Sequence, residues 1–105
     1  EICKFDRLIL PGVGAFGQAM DYLTESGMAE AIREYCVKHG KPLLGICLGM
    51  QLLMNSSDEH GFNSGLGLVQ GEVSSLSQNN QGLSVPNIVW SYIHSKSNSR
   101  LLANV

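Results

Sequence analysis

The stretch Lys41-Pro42-Leu43-Leu44-Gly45-Ile46-Cys47-Leu48-Gly49-Met50-Gln51 decides the fold that the sequence predicts. Its first part has a proline near the start and then continues apolar, which is typical of a buried parallel strand. Residues 48–54 that follow predict a helix. A strand that runs directly into a helix is the repeating unit of α/β folds, so the rest of the chain is interpreted outward from this unit.

The sequence before this stretch predicts one more strand and two helices. Residues 6–10 are a short apolar strand that ends at Pro11, where a loop with two glycines begins. Apolar residues between Phe16 and Leu23, and again in residues 28–39, then recur at helical spacing. Gly40 offers the second helix a C-terminal cap.

After the central stretch the pattern weakens. Residues 56–65 predict a polar loop, and residues 69–73 and 85–90 predict short strands with a polar turn at residues 77–82 between them. The order of strand, helices, strand, helix and shorter strands predicts an α/β fold, in which crossover helices connect the strands of a parallel sheet.

Length, composition and charge exclude several classes of protein. The 105 residues suffice for one domain or part of one, and 44% apolar with 15% charged residues indicates a folded chain. The net charge of −2, without a basic cluster, indicates neither nucleic acid nor a membrane surface as a partner. The apolar runs are too short for a membrane span, and charges near the start argue against a signal peptide.

The three cysteines have no regular spacing, so they predict neither a disulfide framework nor a metal site. We therefore expect a reducing, cytoplasmic setting and no metal or other cofactor. Cys3 and Cys36 are interpreted as plain core or surface thiols.

Cys47 stands in a different context, because Gly45 and Gly49 flank it in a Gly-x-nucleophile-x-Gly frame. Such a frame between a strand and a helix makes a sharp turn that raises the nucleophile above the sheet edge. Glycine is needed on both sides because larger side chains would collide there. The following helix directs its N-terminus at the sulfur, which favours the thiolate form.

An acyl-transfer site also needs backbone N–H donors for the developing oxyanion. Leu48, the residue after the nucleophile, supplies one, and the Pro11-Gly12-Val13-Gly14 loop at the end of the other strand is placed to supply a second. From spacing alone the alternative stays open that Cys47 is a buried structural cysteine.

Two blocks carry a resemblance to a known family: Leu8-Ile9-Leu10-Pro11-Gly12-Val13-Gly14-Ala15-Phe16 and Gly40 through Gln51. They resemble the glutaminase subunits of imidazole glycerol phosphate synthases, which are class I (triad) glutamine amidotransferases. The similarity continues through residues 57–59, 65–68, 71–73 and 85–90, in the order of the family. The resemblance implies a parallel-sheet, three-layer α/β fold that is incomplete at both ends, so that residues 1–105 are a partial glutamine amidotransferase domain.

The resemblance also implies a reaction and roles for residues. Cys47 attacks the side-chain amide of glutamine, forms a glutamyl thioester and releases ammonia for a synthase/cyclase subunit, the partner in a heterodimer of histidine biosynthesis. Leu48, with Val13 or Gly14, matches the oxyanion-hole positions of the family. Gln51 and Glu59 match residues that hold the glutamine substrate, although a solvated helix residue and a solvated loop acid are the ordinary alternatives for them.

The triad of the family is completed by a histidine and a glutamate well after the cysteine, and we expect both to lie beyond this chain. His94 follows Trp90 too closely to be the triad histidine. It is therefore interpreted, with His39 and His60, as a surface residue.

The matched region departs from the family near Trp90, where Asn87 and Val89 stand in place of the usual His and Gly. In the family this stretch lies near the synthase interface, so the ammonia acceptor stays open. A glutaminase subunit for surface-polysaccharide sugar synthesis is one alternative. An elbow hydrolase acting on esters or peptides is another, and an inactive fragment without its general base is a third.

Overall fold

Two parallel strands, β1 (Leu8–Leu10) and β2 (Leu43–Gly45), form the sheet on which the candidate site is built. The computed structural model describes residues 1–76, 86, 88–94, 99 and 101–103. Leu8 pairs with Leu43, and the Ile46 N–H donates to the Leu10 carbonyl at 3.0 Å. The two predicted parallel strands are confirmed, and their carboxyl ends lie side by side.

The connection between the strands consists of the predicted helices. Helix α1 is Phe16–Glu25, and α2 is Met28–Arg33, which continues as a π-helical segment at Glu34–Lys38. Gly40 follows with a φ of +59°, the left-handed backbone expected of a glycine that ends a helix. In the part of the chain that the structure describes, no helix is long and apolar enough to cross a membrane.

The helices cover only one face of the two-stranded sheet. Leu8, Leu10 and Leu43 are half-buried on that face, whereas the side chains of Ile9 and Leu44 are 64% and 41% exposed on the other. The predicted burial of the strand is therefore only partial within the described residues, because α1, α2 and the helix after Cys47 pack on the same side. The buried apolar residues are Phe16, Met20, Ala29, Ile32, Tyr35, Leu48, Leu52 and Leu66.

Helix α3 (Leu48–Gln51) is shorter than the predicted helix over residues 48–54. Its continuation tightens, since the Met54 N–H donates to the carbonyl of Gln51, three residues back. The carbonyls of Leu52 and Leu53 accept instead from the N–H groups of Leu66 and Leu68, both at 2.8 Å. A neighbouring loop thus takes the acceptors that a longer helix would have used.

A second, small sheet lies where a loop was predicted. Strand β3 (Ser56–Ser57) pairs antiparallel with β4 (Asn63–Ser64) and parallel with β5 (Glu72–Val73). The prediction of a polar loop at residues 56–65 is therefore wrong in part, and the strand predicted at 69–73 is reduced to two residues. These strands carry no alternation of apolar side chains, because their pairing rests on backbone groups that any residue provides.

The strand predicted at residues 85–90 is not observed at positions 86 and 88–90, which have no regular structure. Ile88, Val89 and Trp90 are exposed, so the described chain gives this apolar run nothing to pack against. Val85, Asn87 and the turn predicted at 77–82 lie outside the described residues.

Candidate active site

Cys47 lies on the sharp turn between β2 and α3. Its backbone has φ +55° and ψ −122°, a conformation that is strained for any residue with a side chain, and the residue is exposed. The alternative of a buried structural cysteine is therefore wrong. A strained turn that presents a thiol to solvent above the ends of two parallel strands is the geometry of a nucleophile elbow.

The two glycines of the frame are required by the packing of this turn. A Cβ atom at Gly49 would overlap the carbonyl oxygen of Leu10, the last residue of β1. A Cβ at Gly45 would lie 2.6 Å from Cα of Met50, the residue that follows Gly49. The sequence argument that larger side chains would collide at these positions is confirmed.

The glycine loop after β1 lies against the elbow, as the sequence predicted. The Leu48 N–H donates to the carbonyl of Gly12 at 3.3 Å, and a Cβ at Gly12 would come within 3.1 Å of the Gly49 nitrogen. Val13 is 91% exposed, and Gly14 has a φ of +100°, which residues with side chains rarely adopt. The structure thus brings together Leu48 and the Pro11–Gly14 loop, with the Leu48 N–H occupied by a protein carbonyl.

A cavity of about 440 Å³ opens beside α3. Gln51, whose N–H donates to the Cys47 carbonyl at 3.2 Å, is half-buried in its wall. The cavity is large enough for a small amino acid, and its wall carries hydroxyl, amide and carboxylate groups. Its lining consists of Gln51, Ser57, Asp58, Glu59, His60, Val73, Ser74, Ser75, Leu76 and Pro86.

Glu59 lines the same cavity and also makes a contact that the sequence did not reveal. Its Oε2 accepts a hydrogen bond of 2.8 Å from the backbone N–H of Phe16, the first residue of α1. The usual rules of helix capping look for a side chain at the residue before the helix, and Ala15 provides none. The 43 positions between donor and acceptor put this cap beyond any local sequence signal.

The other candidate residues are not part of the elbow, although His60 lines the cavity. His39, His60 and His94 are exposed, as expected of surface histidines, and the Nε2 of His39 lies 3.8 Å from Oε1 of Glu34. Cys3 and Cys36 are half-buried free thiols. Burial raises the pKa of Cys36, so less of this thiol is ionised near neutral pH.

These differences predict selective alkylation. With a small thiol reagent such as iodoacetamide at pH 7, we expect Cys47 to react at least about tenfold faster than Cys36, because Cys47 is exposed and Cys36 is held as a thiol by burial. Raising the pH towards the pKa of Cys36 should narrow the difference. Peptide mass spectrometry after timed quenching measures both rates, and equal labelling at pH 7 would contradict the exposure assigned to Cys47.

Comparisons with known proteins show which family the chain resembles in sequence. Residues 1–83 match the family of CobB/CobQ-like glutamine amidotransferase domains, and the chain therefore belongs to this family. A glutamine amidotransferase transfers the amide nitrogen of glutamine, and the exposed Cys47 on the elbow agrees with such chemistry.

Among curated proteins, the chain is similar to two bacterial proteins named imidazole glycerol phosphate synthase subunit HisH. It is 50% identical to that of Wolinella succinogenes over 104 residues, covering 97% of this chain and 50% of the relative. It is 52% identical to that of Sulfurimonas denitrificans over 95 residues, covering 89% of this chain and 45% of the relative. The chain thus spans about half the length of these relatives, and the resemblance inferred from the two motif blocks is confirmed.

The chain is also similar to a plant protein. The chain is 46% identical over 105 residues to the chloroplastic imidazole glycerol phosphate synthase hisHF of Arabidopsis thaliana, covering 100% of this chain and 17% of that protein.

Proposed function

We propose that the chain is the nucleophile-bearing part of a cytoplasmic glutaminase subunit, which hydrolyses glutamine to glutamate and ammonia for a synthase/cyclase partner in histidine biosynthesis. The observation that carries the proposal is the exposed Cys47 on a strained elbow, one helical turn before Gln51, which lines the cavity. The names of the relatives support a synthase/cyclase partner as the acceptor of the ammonia, since all three are imidazole glycerol phosphate synthases. They do not favour a sugar amidotransferase, and the family match disfavours an esterase or peptidase.

The proposed chemistry begins at the sulfur of Cys47. The thiolate attacks the side-chain amide carbon of glutamine, and a carbon–sulfur bond forms as the carbonyl oxygen takes the negative charge. The carbon–nitrogen bond then breaks, and the nitrogen leaves as ammonia with a proton from the general acid. Water attacks the resulting thioester, which releases glutamate and restores the thiol. We assign the acid–base role to a histidine beyond this chain, and the orientation of that histidine to a glutamate that also lies beyond it.

The oxyanion of this reaction needs the N–H of Leu48, which in the structure donates to the Gly12 carbonyl. We propose that the Gly12–Val13 peptide unit rotates before the reaction. The C=O and N–H of a trans peptide point in opposite directions, so rotation removes the competing carbonyl and turns the Val13 N–H towards the same space. Glycine at position 12 makes such a rotation sterically accessible, and Gly14 is the alternative donor.

We further propose that the domain is a partial one of three layers. The exposed apolar side chains of Ile9 and Leu44 lie on a sheet face that the described helices leave uncovered. Parallel sheets in α/β proteins are covered on both faces, and the curated relatives are about twice as long as this chain. We assign the missing cover to further helices of the same domain, and Gln51 and Glu59 to the binding site for glutamine.

The proposal is tested by measuring ammonia release from glutamine by the protein of the complete reading frame, alone and with its candidate cyclase subunit. We expect release to depend on glutamine and to rise about tenfold or more with the partner, within the usual range of coupling between sites. A glutamate-dehydrogenase-coupled assay follows ammonia, with asparagine as the control substrate. Absence of ammonia release in both preparations, or equal release from asparagine, would overturn the proposal.

A further inference from the structure

The loop that carries the proposed oxyanion donors ends where helix α1 begins. Residues 11–15 separate the last residue of β1 from Phe16, and the residue before the helix, Ala15, offers no side-chain cap. The N–H of Phe16 is instead satisfied by the carboxylate of Glu59 at 2.8 Å. A charged acceptor at a helix N-terminus is stabilised by the exposed N–H groups of the first turn, so this contact fixes the far end of the loop.

The backbone of Glu59 is held in place by two neighbouring side chains. The Glu59 N–H donates to Oγ of Ser57 at 3.1 Å, and the Glu59 carbonyl accepts from Nδ2 of Asn63 at 3.0 Å. Ser57 is almost fully buried, and Asn63 packs against Gly17, where an added Cβ would lie 2.6 Å from the asparagine Oδ1. The backbone of Glu59 is thus fixed by hydrogen bonds on both sides. Less conformational entropy is therefore lost when its side chain makes the contact with Phe16.

The near end of the loop is fixed by the sheet and the elbow. The Ile46 N–H holds the Leu10 carbonyl at 3.0 Å, and Leu48 holds Gly12. Between these anchors and Phe16 stand only the exposed Val13 and Gly14 and the half-buried Ala15. Loss of the Glu59 contact would leave the far end of the loop held by the buried Phe16 side chain alone, so the Val13 and Gly14 N–H groups would be less well positioned.

We infer that Glu59 is a positioning residue, whose carboxylate ties the start of α1 and so holds the Val13–Gly14 segment beside Cys47. The inference rests on the proposed function, and it gives Glu59 a second task in addition to its proposed contact with glutamine. A shift of about 1 Å in a positioned group can cost about a hundredfold in rate, so the tether acts on turnover more than on binding.

The tether itself is tested by hydrogen exchange in the complete protein, independently of any activity. In Glu59→Ala we expect faster exchange of the amides in residues 11–19 than in the unsubstituted protein, whereas exchange in α2 stays the same. Glu59→Gln should lie near the unsubstituted protein, because the amide oxygen still accepts from the Phe16 N–H. Glu25→Ala removes an exposed carboxylate from the far end of the same helix and serves as the matched control.

The consequence is tested by steady-state kinetics on the same variants. We expect Glu59→Ala to lower kcat about tenfold or more, and Glu59→Gln to restore kcat to within about threefold of the unsubstituted enzyme. The proposed contact of the Glu59 charge with glutamine acts on binding instead. Its loss by itself raises KM by similar factors in both variants and leaves kcat unchanged.

The outcomes separate the inference from the proposed function. Unchanged exchange in Glu59→Ala, or an unchanged kcat in this variant, would overturn the positioning role even in an active enzyme. If the unsubstituted protein releases no ammonia, the proposed function fails, and the exchange experiment still decides whether Glu59 ties the loop. Faster exchange in Glu59→Ala together with rescue by Glu59→Gln supports the inference.

Discussion

Replacement of Cys47 by alanine should abolish ammonia release from glutamine, with a loss of at least about a thousandfold in kcat/KM, because no other group can form the thioester. The position of Cys47 on the elbow means that no other cysteine can replace it. Cys47 is exposed on the turn, and the other two thiols are half-buried in other parts of the fold. The measurement is the coupled ammonia assay on the complete enzyme with its partner subunit, with thermal unfolding to show that the variant is folded.

Cys3→Ser is the matched control, since it removes a thiol from the N-terminal segment. We expect this variant to keep activity within about twofold, because the change is conservative and lies away from the site. Activity retained by Cys47→Ala, or lost equally in Cys3→Ser, would rule out Cys47 as the nucleophile.

Replacement of Gly49 by alanine should give the largest loss of stability among single-methyl additions to the elbow. The new Cβ would overlap the Leu10 carbonyl oxygen, which is backbone and already accepts from Ile46. The strand end and α3 must then move apart, and we expect a loss of at least about 3 kcal/mol, at the upper end of overpacking effects. Urea unfolding followed by circular dichroism measures the free energy.

Gly27→Ala separates this collision from backbone strain. Gly27 has a φ of +72°, and an added Cβ there meets no heavy atom within 4 Å. Its replacement should therefore cost only the strain of a left-handed residue, about 1–2 kcal/mol. Equal losses in the two variants would mean that the packing of Gly49 against β1 contributes little.

The sequence predicted the central unit because its signals were local. Strand, turn and helix follow one another between residues 41 and 51, and the frame of Gly45 and Gly49 carries its own steric reason. The carboxyl ends of β1 and β2 meet because parallel strands must align, so contact between the glycine loop and the elbow could also be foreseen.

The errors arose where long-range pairing replaced local pattern. Strands β3 and β4 are formed by backbone pairing of polar residues, and the end of α3 is decided by a loop that takes its carbonyls. The cap that Glu59 places on Phe16 joins residues 43 positions apart. Propensity and periodicity describe neighbours along the chain, so they contain no information on such contacts.

The nucleophile of the site could be predicted from the sequence, whereas less of its surroundings could. The placement of Gln51 four residues after Cys47 follows from one turn of helix, and the structure puts it in a cavity wall. That the Leu48 N–H faces the Gly12 carbonyl depends on the orientation of one peptide unit, which residue types do not determine.

The positive φ at Cys47 has a consequence for engineering this chain. Glycine is the residue that relaxes such a backbone, so stability alone favours removal of the thiol at position 47. A library selected only for heat resistance would enrich inactive members at this position. Any programme that stabilises the protein therefore has to screen for catalytic activity in the same round. At position 47, a gain in stability is made at the expense of activity.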